Sequence, residues 1–253
     1  MTGIQWRLNR IFSSDGRAVI LPVDHGIALG EIAGLREPLK ILKQFAELPI
    51  DGVLLTQGLY RSTNPSMWGR DGPSRILTVD SFFSDENSLA HDVIFDPMTA
   101  LVEGFDAIKM IMMWDQPPHI QAAIIKNITK TIVKAHKLNV PVMVEPILNN
   151  GYSGSAPLLN NAVRIAFEIG ADILKVPNPD SLDTLNRWIT SYPVPFLILG
   201  GHAITSPDSI VKMVHDALQA GASGVTMGRN IWNRPGPEGF QLMKTIIGLV
   251  HSK

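Results

Sequence analysis

Two lysines and a glutamate occur where buried strands normally carry apolar side chains: Lys109 in DAIKMIMMW, Glu145 in VPVMVEPI and Lys175 in ADILKVPNP. A charge in such a run is costly to bury unless it is paired, neutralised or put to use. Two amines beside one acid suit Schiff-base chemistry. One lysine attacks a carbonyl, the second tunes and orients it, and the acid carries protons while carbinolamine loses water. At pH 7 a lysine of ordinary pKa, ~10.4, is neutral only about 0.04% of the time. Desolvation and a neighbouring ammonium both lower that pKa, and a shift to ~7 raises the neutral fraction about a thousandfold. Glu145 opposes part of that shift. The competing structural reading is a Lys–Glu pair that seals a core, or lysines on frayed strands. Three such residues in three consecutive strand-like segments favour the chemical reading.

Those segments belong to a longer series. Short β-rich runs recur at 18–24, 51–58, 74–80, 106–114, 140–147, 171–177, 194–201 and 223–229. Most are nearly continuous apolar stretches, as expected of strands buried on both faces of a parallel sheet. Helical patterns lie between several of them: EPLKILKQFAEL, IQAAIIKNITKTIVKAHKLN, LLNNAVRIAFEIG and SPDSIVKMVHDALQAG. Asn139, Gly170 and Gly221 are placed as helix C-terminal stops, and Ser206-Pro207 as an N-cap followed by proline at the first helical position. Eight strands with helical crossovers predict a (β/α)8 TIM barrel, an α/β fold of about 250 residues, in preference to a doubly wound open sheet. The expected organisation is one domain over 1–253. Side-chain alternation puts Lys109 on the face of Ala107 and Ile111, Glu145 with Met143 and Ile147, and Lys175 with Ile173. All three fall in the second half of their strands, the end at which barrels carry chemistry, and similar heights are expected. The stretch 59–73 reads as a long loop at that same end.

Composition excludes several classes. The chain has 253 residues, is 45% hydrophobic and 18% charged, and carries a formal net charge of −1. That balance offers no basic face for nucleic acid and no polybasic membrane patch. The N-terminal stretch is too polar for a secretory signal, and the apolar runs are far shorter than the ~18 residues of a spanning helix. Without cysteine there is neither disulfide nor thiol nucleophile, and a cytoplasmic placement is expected. The seven histidines are scattered, with no HExxH pattern, and no GxGxxG or GxxxxGK[ST] motif occurs. Neither a metal nor another cofactor is expected.

At Lys109, Glu145 and Lys175 the chain resembles the Schiff-base class I aldolases of the (β/α)8 type. The likeness runs from LPVDHG to GRNIW and is closest in pattern to the tagatose-1,6-bisphosphate and sulfofructose-phosphate aldolases. The resemblance implies that Lys175, in the DxLK-like motif of the sixth strand, forms the Schiff base. It implies a proton-carrying role for Glu145 in the EP motif, electrostatic support from Lys109, and hydroxyl positioning by Asp24. It also implies a phosphorylated sugar substrate and a homo-oligomer. Asp24-His25-Gly26 and the terminal GRNIW are similar to archaeal-type fructose-bisphosphate aldolases and to autoinducer-2 processing enzymes. The archaeal type carries a fifth-strand tyrosine where this chain has Glu145-Pro146-Ile147, which favours the glutamate-dependent branch. Lysine-dependent acyl transfer on a phosphorylated dione, and a catalytically silent sugar-phosphate binder, are the alternatives.

The remaining candidates lie at strand ends. Gly200-Gly201 after the seventh strand and Gly228-Arg229 after the eighth stand where barrels bind phosphate, with arginine able to grip it through two donors. That placement makes dihydroxyacetone phosphate the expected product. His25 and His202 read as satisfied structural histidines, and Met110, Met112 and Met113 as packing residues.

Overall fold

Strands apolar on both faces are stable only where the sheet is covered on one side and filled on the other, and a closed barrel does both. A computed structural model describes residues 2–69, 71–84, 89–148, 156–179, 181–201 and 206–252. Its barrel strands are β1 (Ala18–Pro22), β2 (Gly52–Leu55), β3 (Ser74–Thr78), β6 (Ala107–Trp114), β7 (Val142–Leu148), β8 (Ile173–Pro177), β9 (Phe196–Leu199) and β10 (Gly224–Thr226). They close in the order β1-β10-β9-β8-β7-β6-β3-β2, all parallel. This is the expected (β/α)8 TIM barrel.

Two strands were not expected. Beyond β3 the chain breaks at Val79 and forms an antiparallel hairpin of β4 (Asp80–Ser84) and β5 (Leu89–Val93), in place of a third strand running through residue 80 and a loop beyond it. The stretch 59–73 is likewise more ordered than a loop. It completes a helix begun at Gln57 and ending at Ser62, then makes a 3-10 turn over Pro65–Trp68. Polar, short elements of this kind carry no strong periodicity, and tertiary packing decides them.

The helix signals are where the sequence placed them. Asn139 and the glycines 170 and 221 all have positive φ, and Ser206 caps Pro207–Gln219 by accepting from the Ser209 N–H. The inner face of the barrel is filled near its N-terminal end by Ile20, Leu54, Ile76, Ala107, Met143 and Ile173. Helix Gly3–Ile11 closes that end, with Ile11 and Phe12 joining the same cluster. Arg7 donates to the Phe105 carbonyl at 2.7 Å and Arg10 pairs with Asp106 at 2.9 Å, so cations hold the plug across the strand ends. No helix among the described residues is long and apolar enough to cross a membrane.

A recurring device locks neighbouring strands at this end. An aspartate just before a strand accepts a backbone N–H from the strand beside it: Asp51 from Val19 at 2.7 Å, Asp106 from Arg75 at 3.0 Å, and Asp172 from Val142 at 2.8 Å. The C-terminal segment joins in through His251, whose Nδ1 lies 2.8 Å from Asp15 and Nε2 3.0 Å from Asp51. Burial disfavours the imidazolium, but Asp15 and Asp51 outweigh it and raise the His251 pKa. A pKa raised on folding contributes stability that is complete below the unfolded value, ~6.5, and is lost as pH rises through the folded value. The thermal midpoint is therefore expected to fall more between pH 6 and 8.5 in the wild type than in His251→Gln. Parallel slopes in the two proteins would show that the clamp contributes nothing.

Candidate active site

The inward parity of the strands carries through to the open end of the barrel. Two residues beyond the filling layer, Ala107 is followed by Lys109, Met143 by Glu145, and Ile173 by Lys175, while Asp24 follows the end of β1. The four residues are brought together. Lys175 Nζ lies 2.8 Å from Glu145 Oε1, and Lys109 Nζ lies 2.9 Å from Oε2 of the same carboxylate. Lys109 also reaches Asp24 Oδ2 at 3.4 Å, and Thr78 donates to that oxygen at 2.6 Å. All four are at most 5% exposed. Their heights differ from the sequence expectation. Met143 is level with Ile173, which puts Glu145 level with Lys175, whereas Lys109 is level with Met143 and one inward step lower. The length of the Lys109 side chain makes up that step.

Charge balance explains how such a cluster is tolerated. Burial by itself disfavours every charge here, yet the two ammonium groups beside Glu145 hold its carboxyl below the usual range. Lys109, chiefly, and His25 do the same to Asp24, well below ordinary carboxylates. Against the same burial, Glu145, Asp24 and Asp80 raise the Lys109 pKa well above that of a free lysine. Lys109 is therefore a fixed ammonium.

A cavity of about 210 Å³ opens above the cluster, lined by all four residues together with Asp80 and Arg229. A smaller niche of about 20 Å³ adjoins it, bounded by Lys175, Gly200, Gly201, Thr226, Gly228 and Arg229. Gly201 has φ +66°, and a Cβ on Gly228 would sit 2.7 Å from Pro22 Cγ, so neither position accommodates a larger residue without rearrangement. Arg229 has no ion-pair partner among the described residues. Among the described residues, no group of three His, Asp or Glu side chains could hold a metal ion.

Residues 18–234 match the model of the DeoC/LacD family aldolases. The chain belongs to that family. An uncharacterized aldolase of Saccharolobus solfataricus is 27% identical over 265 aligned positions, covering 99% of this chain and 95% of the relative. The 3-hydroxy-5-phosphonooxypentane-2,4-dione thiolase of Yersinia pseudotuberculosis is 30% identical over 251 positions, covering 98% and 82%. Among solved structures, an archaeal fructose 1,6-bisphosphate aldolase superposes with a TM-score of 0.84 at 23% identity, covering 98% of both chains. Another, with its catalytic lysine bound to the carbinolamine intermediate of the substrate, gives 0.84 at 22% identity, covering 98% of this chain and all of the other. The barrel is thus that of the family's class I aldolases.

Two residues of this DeoC/LacD-family chain, His25 and Asp80, stand differently from what the sequence led us to expect. His25 is not a satisfied structural histidine: its Nδ1 is buried without a hydrogen bond, 3.6 Å from Asp24, and its ring lines both cavities. Burial chiefly lowers its pKa, against the opposing pull of the Asp24 carboxylate. Met110 and Met112 pack outside the barrel and Met113 packs against the same cluster, as expected, while also lining the cavity on the face of Lys109. Asp80 also lines it and was passed over, although it shares the inward parity of Ile76 and Thr78. His202 lies outside the described residues. Removing Glu145 leaves two buried ammonium groups facing each other. Glu145→Leu is expected to cost about 3–5 kcal/mol in urea unfolding. Adding Lys109→Met should recover about 1–3 kcal/mol, a coupling that additive losses would disprove.

Proposed function

We propose that this protein is a class I aldolase, a lyase that makes or cleaves a C–C bond in a phosphorylated ketose through an imine on Lys175. The observation that carries the reading is the single Glu145 carboxylate shared between Lys175 and a permanently charged Lys109. Lys175 passes a proton to Glu145 across the 2.8 Å contact and attacks the ketone carbon. The carbinolamine then takes a proton on its hydroxyl, loses water and becomes an iminium. Cleavage deprotonates the hydroxyl on the far side of the breaking bond, releases an aldehyde and leaves the bonding pair as an enamine. Protonation of the enamine carbon and hydrolysis return the amine. Glu145 is the proton carrier in these steps. Lys109 keeps it ionised until a proton arrives and offsets its charge. Asp24, held by Thr78 and Lys109, orients a substrate hydroxyl.

The niche at Gly200, Gly201, Gly228 and Arg229 suits a phosphate on the ketone side, next to the amine, so dihydroxyacetone phosphate is the expected product. Borohydride with dihydroxyacetone phosphate should add the reduced donor mass to Lys175. Labelling that persists in Lys175→Ala would place the imine elsewhere and overturn the assignment. Arg229→Ala should raise KM for the phosphorylated donor about 10–100-fold, the loss expected of one charge-assisted contact, with a smaller change in kcat. A KM equal to that of the wild type would remove the arginine from the site.

One observation favours a second reading. The relatives at 29–30% identity are named as thiolases of a phosphorylated dione. In that case the same lysine cluster serves acyl transfer, and coenzyme A should accelerate turnover of a phosphorylated dione. An aldolase is indifferent to it.

A further inference from the structure

Asn230 is a buried polar side chain that the proposed chemistry does not use. It follows Arg229 in the short helix Arg229–Trp232 and is 3% exposed. Its Nδ2 donates to the Gly200 carbonyl at 2.7 Å. Gly200 is the first residue beyond β9, so this bond ties the end of one strand to the helix that follows its neighbour, β10. The Gly200 N–H donates to the Thr226 carbonyl of β10 at 3.2 Å. Gly200 is therefore held at both of its polar backbone atoms. The approach is close: a Cβ here would lie 2.9 Å from Met227 Sδ and 3.2 Å from Asn230 Nδ2. The helix is itself braced. Trp232 Nε1 donates to the Pro22 carbonyl at 3.2 Å, and Arg234 donates to the Asn230 carbonyl at 2.9 Å.

The direction of that one hydrogen bond has an electrostatic consequence. A trans peptide is planar, with its C=O and N–H pointing opposite ways. A Gly200 carbonyl turned toward Asn230 therefore turns the Gly201 N–H away from it. Asn230 is not on the wall of the niche beside Lys175, whereas Gly200, Gly201 and Arg229 are. Both glycines are half-buried rather than sealed, so a ligand in the niche reaches their backbone. A backbone N–H is a strong donor to an anionic oxygen, while a carbonyl oxygen in its place repels one. Whichever end of this peptide faces the niche thus sets how well a phosphate is held there.

We infer that Asn230 is a positioning residue for the phosphate: it fixes the Gly200–Gly201 peptide so that the Gly201 N–H faces the niche and donates to a phosphate oxygen. The inference rests on the aldolase reading, with the phosphate of the ketone half in this niche, and deepens it. Asn230 touches no substrate and acts through the peptide. Because it adjoins Arg229 in one braced helix, it also keeps the amide and the guanidinium in a fixed relation, so the two donors act together on one group.

Gly200–Gly201 is the only Gly–Gly peptide in the chain. Labelling glycine with carbonyl 13C and amide 15N therefore picks out the Gly201 amide as a single carbonyl-correlated signal. Borohydride trapping of the wild type with dihydroxyacetone phosphate, and separately with dihydroxyacetone, gives two adducts on Lys175 that differ only in the phosphate. The Gly201 amide proton is expected downfield in the phosphorylated adduct. The same position in both adducts overturns the inference and leaves the imine in place. No adduct at Lys175 overturns the aldolase reading and this inference with it. Asn230→Asp keeps the shape but replaces the donor with an acceptor. It should raise the half-saturating dihydroxyacetone phosphate for trapping about 10-fold, the loss expected of one misaimed charge-assisted bond, and that for dihydroxyacetone less than twofold. Equal weakening of both donors would make Asn230 a purely structural tie. No weakening of either would remove it from the site. The wild-type adducts decide the direction of the peptide even if that variant folds poorly.

Discussion

A carboxylate between two ammonium groups, sealed inside a barrel, is the interaction on which the rest of this structure depends. Glu145 gives one oxygen to Lys175 and the other to Lys109. Three ionised side chains are too costly to bury separately, and only their mutual contacts within 3 Å make the arrangement tolerable. That requirement sets demands on everything around it. Strands must deliver three side chains to one point from three neighbouring staves, and the barrel must be closed below so that water does not relax the cluster. Helix Gly3–Ile11 and the aspartate locks between strands answer the second demand. The twist and stagger of the sheet answer the first, with the long Lys109 side chain spanning the one-step difference in height.

The same charges divide the cavity into unlike ends. Near β8, β9 and β10 the wall has glycines, backbone and Arg229, which has no carboxylate partner among the described residues. Across the mouth, the hairpin of β4 and β5 brings apolar side chains and a half-satisfied carboxylate. Between them stand the lysines, whose charge is already balanced by Glu145 and Asp24. The polarity of the site thus follows from which charges are spent on holding the cluster together and which are left over.

The sequence made much of this legible, and specific residues show why. Lys109, Glu145 and Lys175 stood out because a charge in an apolar run has few explanations, and strand parity then assigned each an inward direction. Asn139, Gly170, Gly221 and Ser206 marked helix ends because few residues meet the backbone demands there. The family resemblance added roles that residue types alone left open. Asp80 was overlooked for a contrary reason. At the end of an apolar run an aspartate reads as a turn residue, and only the hairpin beyond it reveals that it is buried. His25 was misjudged similarly, because whether a histidine is satisfied depends on partners distant in the chain.

What the sequence determined by itself is therefore periodic and local: eight buried strands, the face each charge takes, the ends of helices and the type of chemistry that two lysines and an acid permit. Tertiary structure decided the rest. It set which lysine is pinned as an ammonium by two carboxylates, the difference in height between Lys109 and Glu145, and the placing of Arg229 and Asp80 apart on one wall. Parity is a property of a single strand and can be read along the chain. Ion pairing, register and burial depend on distances between strands, which exist only after the barrel has closed.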